Sequence, residues 1–123
     1  MSAENAAVFA RLAQTFALRK EADPASSYVA KLLSKAPDAA LKKVGEETAE
    51  FIMACKDCEV TASDHSRAKV IGEAADVWFH MLVALSRYDV TGDDVVAELA
   101  PREGMSGIEE KAARPKSEPN ERL

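Results

Sequence analysis

Acidic residues occur in pairs, three positions apart, in two separate stretches of the chain. The stretch KKVGEETAEF holds Glu47 and Glu50, and the stretch GEAADVWFH holds Glu73 and Asp76. If both stretches are helical, each pair lies on one helix face, because residues three apart are neighbours on an α-helix. Apolar residues border both pairs, so each pair is predicted to lie at the edge of a face that packs against other helices.

Four carboxylates would converge if these two helices packed as antiparallel neighbours, which the short segment between them favours. Like charges a few ångströms apart repel by kilocalories per mole even at an effective dielectric constant of ~20, so a cation or protonation must compensate them. Mg²⁺ takes oxygen ligands and keeps positions for water and phosphate oxygens. The pattern predicts a magnesium site, in which Mn²⁺ could substitute. The alternative is a solvated face whose carboxylates form only salt bridges.

Lys69 and His80 extend the second acidic stripe by one helical turn in each direction. His80 is predicted to bind phosphate or to donate a hydrogen bond to a ligating carboxylate. A structural histidine inside a helix bundle is the alternative. Tyr28 could stack on a nucleotide base or pack as a half-buried core residue, and the residue pattern leaves both open.

Helices are predicted to position these residues throughout. Ala, Leu, Glu and Lys dominate the chain before residue 100, and no stretch shows sustained alternation of apolar and polar residues. Ser26 or Ser27, Asp38 and Thr91 are suitable N-caps, and Pro24 and Pro101 interrupt helices. The predicted helices span residues 3–20, 28–35, 38–58, 64–88 and 92–99. This predicts an all-α fold, a bundle of four to five helices.

The fourth predicted helix is apolar nearly all round over residues 77–85, with His80 as the exception. A helix that is apolar on every side is buried on every side. Three or four other helices can hardly surround it, so we expect a second copy of the chain to complete the bundle as a homodimer.

Composition excludes several classes of protein. The chain has 123 residues, which fits one domain, and a formal net charge of −5, which argues against nucleic acid or anionic membranes as partners. No apolar run is long enough to span a membrane, and the N-terminus lacks the pattern of a signal peptide. Cys55 and Cys58 form a single C-x-x-C without further metal ligands, so we interpret them as incidental thiols. A cytoplasmic location is predicted.

The acidic motif also carries a resemblance. E-x-x-E, followed after 22 residues by E-x-x-D, resembles the all-α nucleoside-triphosphate pyrophosphohydrolase superfamily. Three stretches, SYVAKL at 27–32, KKVGEE at 42–47 and SGIEEKAAR at 106–114, together resemble the phosphoribosyl-ATP pyrophosphatase family. With EAADVWFHMLVAL, the similarity covers roughly residues 16–114.

The resemblance implies magnesium-dependent hydrolysis of phosphoribosyl-ATP to phosphoribosyl-AMP and pyrophosphate, the second step of histidine biosynthesis. It implies that Glu47, Glu50, Glu73 and Asp76 hold the metal and that Glu46 joins them as a catalytic residue. An acidic metal site does not by itself hold several phosphates, so we expect basic residues within these stretches to bind substrate together with His80; the candidates are Lys31, Lys43, Lys111 and Arg114. Residues 1–104 would form the helical domain, 105–114 a basic segment that contacts substrate, and 115–123 a disordered tail.

Two other classes of function fit parts of the pattern. A related helical enzyme that hydrolyses non-standard nucleoside triphosphates would have the same metal site with another pocket. A non-catalytic dimerisation module would use the acidic stripe only for salt bridges, and the lysines would then serve solubility.

Overall fold

The described part of the computed structural model comprises residues 2–104, 112 and 114, and it contains helices and no strand. This confirms the predicted all-α class. In chain order the elements are α1 (Ala3–Ala6), α2 (Val8–Arg19), α3 (Tyr28–Ser34), α4 (Asp38–Val60), α5 (Asp64–Ser86), α6 (Gly92–Leu99) and a 3-10 turn (Ala100–Arg102).

Two features of the helix boundaries differ from the predictions, the break at Ala7 and the cap of α4. Ala7 separates α1 from α2, so the first predicted helix is interrupted there. Asp38 was predicted to cap α4, and this was wrong: Pro37 precedes the helix, and Asp38 is its first residue, where its negative charge favours the helix dipole. The predicted end of α6 at Leu99 is confirmed, and Pro101 follows it inside a 3-10 turn, where proline is tolerated because it lies in the first turn.

Contacts divide the chain into two units, Met1–Asp93 and Asp94–Leu123. The first unit contains α1 to α5 and the start of α6. In the second unit Arg102 donates to the carboxylate of Glu98 at 3.4 Å. Residues 105–111, 113 and 115–123 lie outside the described residues, so the proposed division at residues 104 and 114 stays a prediction.

The longest helices, α4 and α5, form a hairpin that is the main scaffold of the first unit. Only residues 61–63 connect them, and contact along their length makes them antiparallel, as predicted. Ser63 starts α5 with a capping box, in which its hydroxyl accepts from the Ser66 backbone N–H and the Ser66 hydroxyl accepts from the Ser63 N–H.

The core of the first unit forms where α2 and α3 cover α5. Phe16, Val29, Leu32 and Val83 are buried together there. Phe79 packs its ring against Phe16 edge to face, with centroids 5.7 Å apart, a favourable arrangement for aromatic pairs.

Helix α3 is short and is attached to its surroundings at both ends. Its N-cap Ser27 accepts a hydrogen bond from the Ala30 N–H at 3.2 Å. At its other end the guanidinium of Arg87 donates to the carbonyls of Lys35, at 2.8 Å, and Leu33, at 3.4 Å. Those carbonyls would otherwise lack partners at a helix end, so Arg87 ties α3 to the end of α5.

Helix α5 ends in a Schellman motif. The Val90 N–H donates to the Leu85 carbonyl and the Asp89 N–H to the Ser86 carbonyl, both at 3.2 Å. Asp89 adopts a left-handed conformation with φ of 57°, which aspartate tolerates better than most residues. Its carboxylate lies 3.0 Å from the Lys20 ammonium, so the turn is also tied to the end of α2.

Apolar side chains remain exposed on the α4–α5 hairpin of a single chain. Val83 and Ala84 are buried, but Trp78 is 61% exposed and Met81 45% exposed. On α4, Ile52 is exposed as well. One chain therefore does not cover the apolar helix, and the homodimer stays a prediction. Among the described residues, no helix has both the length and the apolar character that crossing a bilayer requires.

Candidate active site

The α4–α5 hairpin brings the two acidic pairs together. One carboxylate oxygen from each of Glu47, Glu73 and Asp76 lies within 4.8 Å of the others. Glu47 and Glu73 are buried, whereas Asp76 is exposed. The antiparallel packing produces this convergence, because residues of similar distance from the connection face each other across the hairpin.

Glu50 is the fourth member of the carboxylate cluster, by which we mean Glu47, Glu50, Glu73 and Asp76. The negative charge of Glu47 raises the pKa of the Glu50 carboxyl, and hydrogen bonding to Glu47, desolvation and the charge of Glu73 act in the same direction. The Glu50 side chain therefore interacts with carboxylates from both helices, which is the crowding that the spacing of the acidic residues predicts.

Lysines on the same helices compensate part of the negative charge. The Lys43 ammonium lies 3.2 Å from Glu46 and 3.4 Å from Glu47. Hydrogen bonds to these carboxylates raise the pKa of Lys43, and the bond to Glu46 has the larger effect. The Lys69 ammonium lies 3.2 Å from Oε1 of Glu73. The Lys69 side chain is exposed and the Lys43 side chain is partly exposed, so solvent screens these ion pairs and each contributes little stability.

Glu73 has one oxygen without a compensating partner. Its Oε2 is buried and finds no hydrogen-bond partner among the residues that the structure describes. A buried carboxylate oxygen left in this way is costly. A hard divalent cation that takes oxygen ligands would satisfy this atom and reduce the repulsion between the carboxylates, so the donor set fits Mg²⁺.

Tyr28 and His80 form a pair beside the carboxylate cluster. The Tyr28 hydroxyl lies 2.8 Å from Nε2 of His80, and Nδ1 of His80 lies 2.8 Å from the carbonyl oxygen of Asp76. Burial raises the pKa of the Tyr28 phenol; the positive charge of Lys43 lowers it, and the carboxylates of Glu47 and Glu46 raise it. The Tyr28 phenol therefore lies close enough to Lys43, Glu46 and Glu47 to be influenced by their charges.

The other predicted substrate-binding residues are distributed as follows. Lys31 is exposed on α3, and Lys43 lies at the edge of the cluster. His80 is buried, and both its ring nitrogens already have partners within the chain. Arg114 is an exposed residue of the second unit, and Lys111 lies outside the described residues. The role of each in substrate binding stays a prediction.

Two features of the site were not apparent from the sequence. Tyr28 and His80 are 52 positions apart, and the Lys35 carbonyl that Arg87 contacts lies 52 positions before it. No local spacing indicates such contacts, since they depend on how α3 packs on α5. Cys55 and Cys58 are free cysteines of intermediate burial, and their interpretation as incidental thiols stays a prediction.

Comparison with known proteins identifies the family of the chain. Residues 9–103 match the family model of phosphoribosyl-ATP pyrophosphohydrolase. The chain belongs to this family. The match begins one residue into α2, extends past the end of α6 and includes every member of the carboxylate cluster, so the cluster lies in the part of the chain that the phosphoribosyl-ATP pyrophosphohydrolase family shares.

Curated relatives support the same family. The chain is 54% identical over 112 residues to the phosphoribosyl-ATP pyrophosphatase of Bordetella parapertussis, with 89% of this chain and 91% of that protein covered. It is 50% identical over 112 residues to the phosphoribosyl-ATP pyrophosphatase of Nitrosomonas eutropha, with 91% and 90% covered. The corresponding protein of a Polaromonas species is 55% identical over 108 residues, with 85% of each chain covered.

Proposed function

We propose that this chain hydrolyses phosphoribosyl-ATP to phosphoribosyl-AMP and pyrophosphate, which is the second step of histidine biosynthesis. The observation that carries the proposal is the convergence of Glu47, Glu73 and Asp76 within 4.8 Å, in a chain whose relatives are named phosphoribosyl-ATP pyrophosphatases. Four carboxylates and a nucleotide with several phosphates repel each other, so a divalent cation must lie between them.

The carboxylate cluster is proposed to hold Mg²⁺. When bound, Mg²⁺ would neutralise charge on the phosphate oxygens and lower the pKa of a water molecule. Glu47 and Glu73 are buried where α4 and α5 pack together, so their side chains need little rearrangement to act as ligands. Glu46 is exposed beside them and is proposed to orient the attacking water or to serve as a further ligand.

The hydrolysis breaks the anhydride bond between the α and β phosphates. A water oxygen forms the new bond to phosphorus, the bridging oxygen leaves with the pyrophosphate or with phosphoribosyl-AMP, and the proton of the water passes to a carboxylate. Glu46 and Glu50 suit the last role, because both are exposed to solvent and can pass the proton on.

Basic side chains are proposed to bind the phosphates that the metal does not reach. The candidates are Lys31, Lys43, Lys111 and Arg114. Lys43 is already next to the cluster and pairs with Glu46 and Glu47. Alanine substitution of these residues is expected to raise the Michaelis constant for phosphoribosyl-ATP, and an unchanged constant in all of them would contradict the proposal.

The test of the proposed function is pyrophosphate release from phosphoribosyl-ATP with Mg²⁺, with ATP and dCTP assayed in parallel. Release from phosphoribosyl-ATP alone is expected. Release mainly from ATP or dCTP would instead indicate an enzyme acting on other nucleoside triphosphates. If no substrate reacts and millimolar Mg²⁺ leaves the melting temperature unchanged, the cluster serves only salt bridges.

A homodimer is proposed as the functional form, in the cytoplasm. The support is the exposed apolar surface of the hairpin, with Trp78 61% and Ile71 70% exposed. Large exposed apolar patches mark interaction surfaces, and a second copy carries the same patch. Sedimentation at micromolar concentration should show a dimer, and Trp78→Glu should shift it to a monomer. A wild-type monomer would contradict the proposal.

A further inference from the structure

Tyr28 combines a fixed hydroxyl with an exposed ring. The residue is 49% exposed, although its hydroxyl is held by buried His80 and its ring lies edge to face with the imidazole at 5.8 Å. A tyrosine that served only to fill the core would be buried along its ring. The exposed face of Tyr28 is thus available to a ligand, while its orientation is set from within.

The protonation pattern of His80 follows from its partners. A carbonyl oxygen only accepts hydrogen bonds, so Nδ1 carries the proton that it donates to the Asp76 carbonyl. In the neutral imidazole, Nε2 is then an acceptor, and the Tyr28 hydroxyl donates to it. Phe79 packs edge to face on the imidazole at 5.5 Å, which further restricts rotation of the ring.

The ring of Tyr28 lies between two parts of the surface. Its hydroxyl end is near Lys43, Glu46 and Glu47, whose charges influence its pKa. Tyr28 also lines a groove of about 350 Å³ whose wall is mainly apolar, with Leu12 and Phe79, and carries Arg19 at its edge. Tyr28 is the residue that joins the two regions, because it lines the groove and is connected through His80 to the backbone of Asp76 in the carboxylate cluster.

We propose that Tyr28 contacts the purine base of the nucleotide and that His80 is a positioning residue, which acts on substrate only through Tyr28. The inference rests on the proposed function and deepens it, because it assigns the side of the site that receives the base. It also gives buried His80 a role other than direct phosphate binding. Aromatic side chains bind bases by stacking, and a ring held in one orientation loses less entropy on binding.

Four variants distinguish the contribution of the Tyr28 ring to substrate binding from that of its hydrogen bond to His80. Tyr28→Leu removes the ring, Tyr28→Phe removes only the donor, His80→Leu removes the acceptor, and His80→Gln keeps an acceptor. Tyr88→Phe is the matched control, because Tyr88 is a similarly exposed tyrosine at the end of α5. The readouts are KM and kcat for phosphoribosyl-ATP, and the rise in melting temperature with Mg²⁺.

Tyr28→Leu is expected to raise KM about ten- to hundredfold. Tyr28→Phe and His80→Leu should each raise it about three- to tenfold, the factor that one ordinary hydrogen bond represents. The double variant Tyr28→Phe, His80→Leu should equal either single variant, because both remove the same contact. His80→Gln should recover most of the loss. The kcat, the response to Mg²⁺ and the control should change less than twofold.

Additive losses in the double variant would show that His80 acts independently of Tyr28 and would overturn the proposal, as would an unchanged KM in Tyr28→Leu. A second measurement does not depend on activity. Long-range ¹H–¹⁵N spectra should show a protonated Nδ1 and a bare Nε2 for His80, with exposed His65 as the internal reference. The opposite tautomer would show that the Tyr28 hydroxyl does not donate to Nε2 of His80, and would overturn the proposed positioning role of His80. If the wild-type protein shows no turnover, the proposed function is overturned. The tautomer of His80 would still decide whether the hydrogen bond from Tyr28 to His80 exists.

Discussion

Replacing Glu73 by glutamine tests whether the carboxylate cluster is a metal site, because activity and stability should change in opposite directions. Glu73 is 9% exposed, and its Oε2 is the buried oxygen without a partner among the described residues. Glutamine has nearly the same shape but no charge. Its amide nitrogen can donate to a neighbouring carboxylate, so the substitution removes repulsion without leaving a cavity.

The magnitude follows from the separations in the cluster. Two unit charges 4.8 Å apart, the largest separation among the three closest oxygens, repel by about 3 kcal/mol at an effective dielectric constant of ~20. Solvent around exposed Asp76 reduces this, and the lost ion pair with exposed Lys69 costs at most about 1 kcal/mol. The metal-free variant should therefore be more stable than wild type by about 1–2 kcal/mol, which raises Tm by roughly 3–10 °C.

The assay compares melting curves of wild type and variant with and without Mg²⁺, and pyrophosphate release from the same samples. Wild type should gain stability from Mg²⁺, by about 2.7 kcal/mol at a hundred times the dissociation constant. Glu73→Gln should show no such gain and no turnover. Glu59→Gln, an exposed glutamate on the same helix as Glu47, is the matched control and should behave as wild type.

Two results would refute this reasoning. If Mg²⁺ stabilises Glu73→Gln as strongly as wild type, Glu73 is not a ligand. If the metal-free variant is less stable than wild type by more than about 1 kcal/mol, the carboxylates do not repel each other as the geometry indicates.

Three further predictions concern the core, helix packing and pH. Phe16→Ala should lower the free energy of unfolding by about 3–5 kcal/mol in urea titrations, because the Phe16 side chain is only 2% exposed. Leu18→Ala is the control, because Leu18 is 74% exposed. Equal losses of stability in the two variants would mean that Phe16 is not part of the core. Gly92→Ala should lower the free energy of unfolding by about 1–3 kcal/mol, since the new Cβ would lie 2.7 Å from Cδ1 of Phe9. Gly45→Ala is the control and should be neutral or stabilising, because no described atom lies within 4 Å of its Cβ. A stabilised Gly92→Ala variant would show that the Phe9 ring moves freely. The raised pKa of Glu50 means that the folded metal-free protein binds a proton at higher pH than the unfolded chain, so the free energy of unfolding should fall as pH rises from the ordinary glutamate value through the raised one. Denaturant titrations across that range should show the fall in wild type and less of it in Glu47→Gln; an identical slope in both would contradict the coupling.

The sequence by itself determined the helices and the acidic faces. Ala-rich and Glu-rich segments, Ser27 as a cap and the short segment before Asp64 predicted α3 to α5 to within a few residues, because these features are local. The spacing of Glu47 with Glu50 likewise placed each pair on one helix face. The interruption at Ala7 was missed, because no glycine or proline marks it.

Only the tertiary structure decided which carboxylates are buried and what holds them. Glu47 and Glu73 face the partner helix whereas Glu50 and Asp76 face solvent, a difference that follows from how α4 and α5 rotate against each other and not from spacing. The pairing of Tyr28 with His80, 52 positions apart, likewise depends on α3 packing across α5. Local sequence sets which face of a helix is acidic, but contacts between distant residues exist only once the core has fixed the positions of the helices.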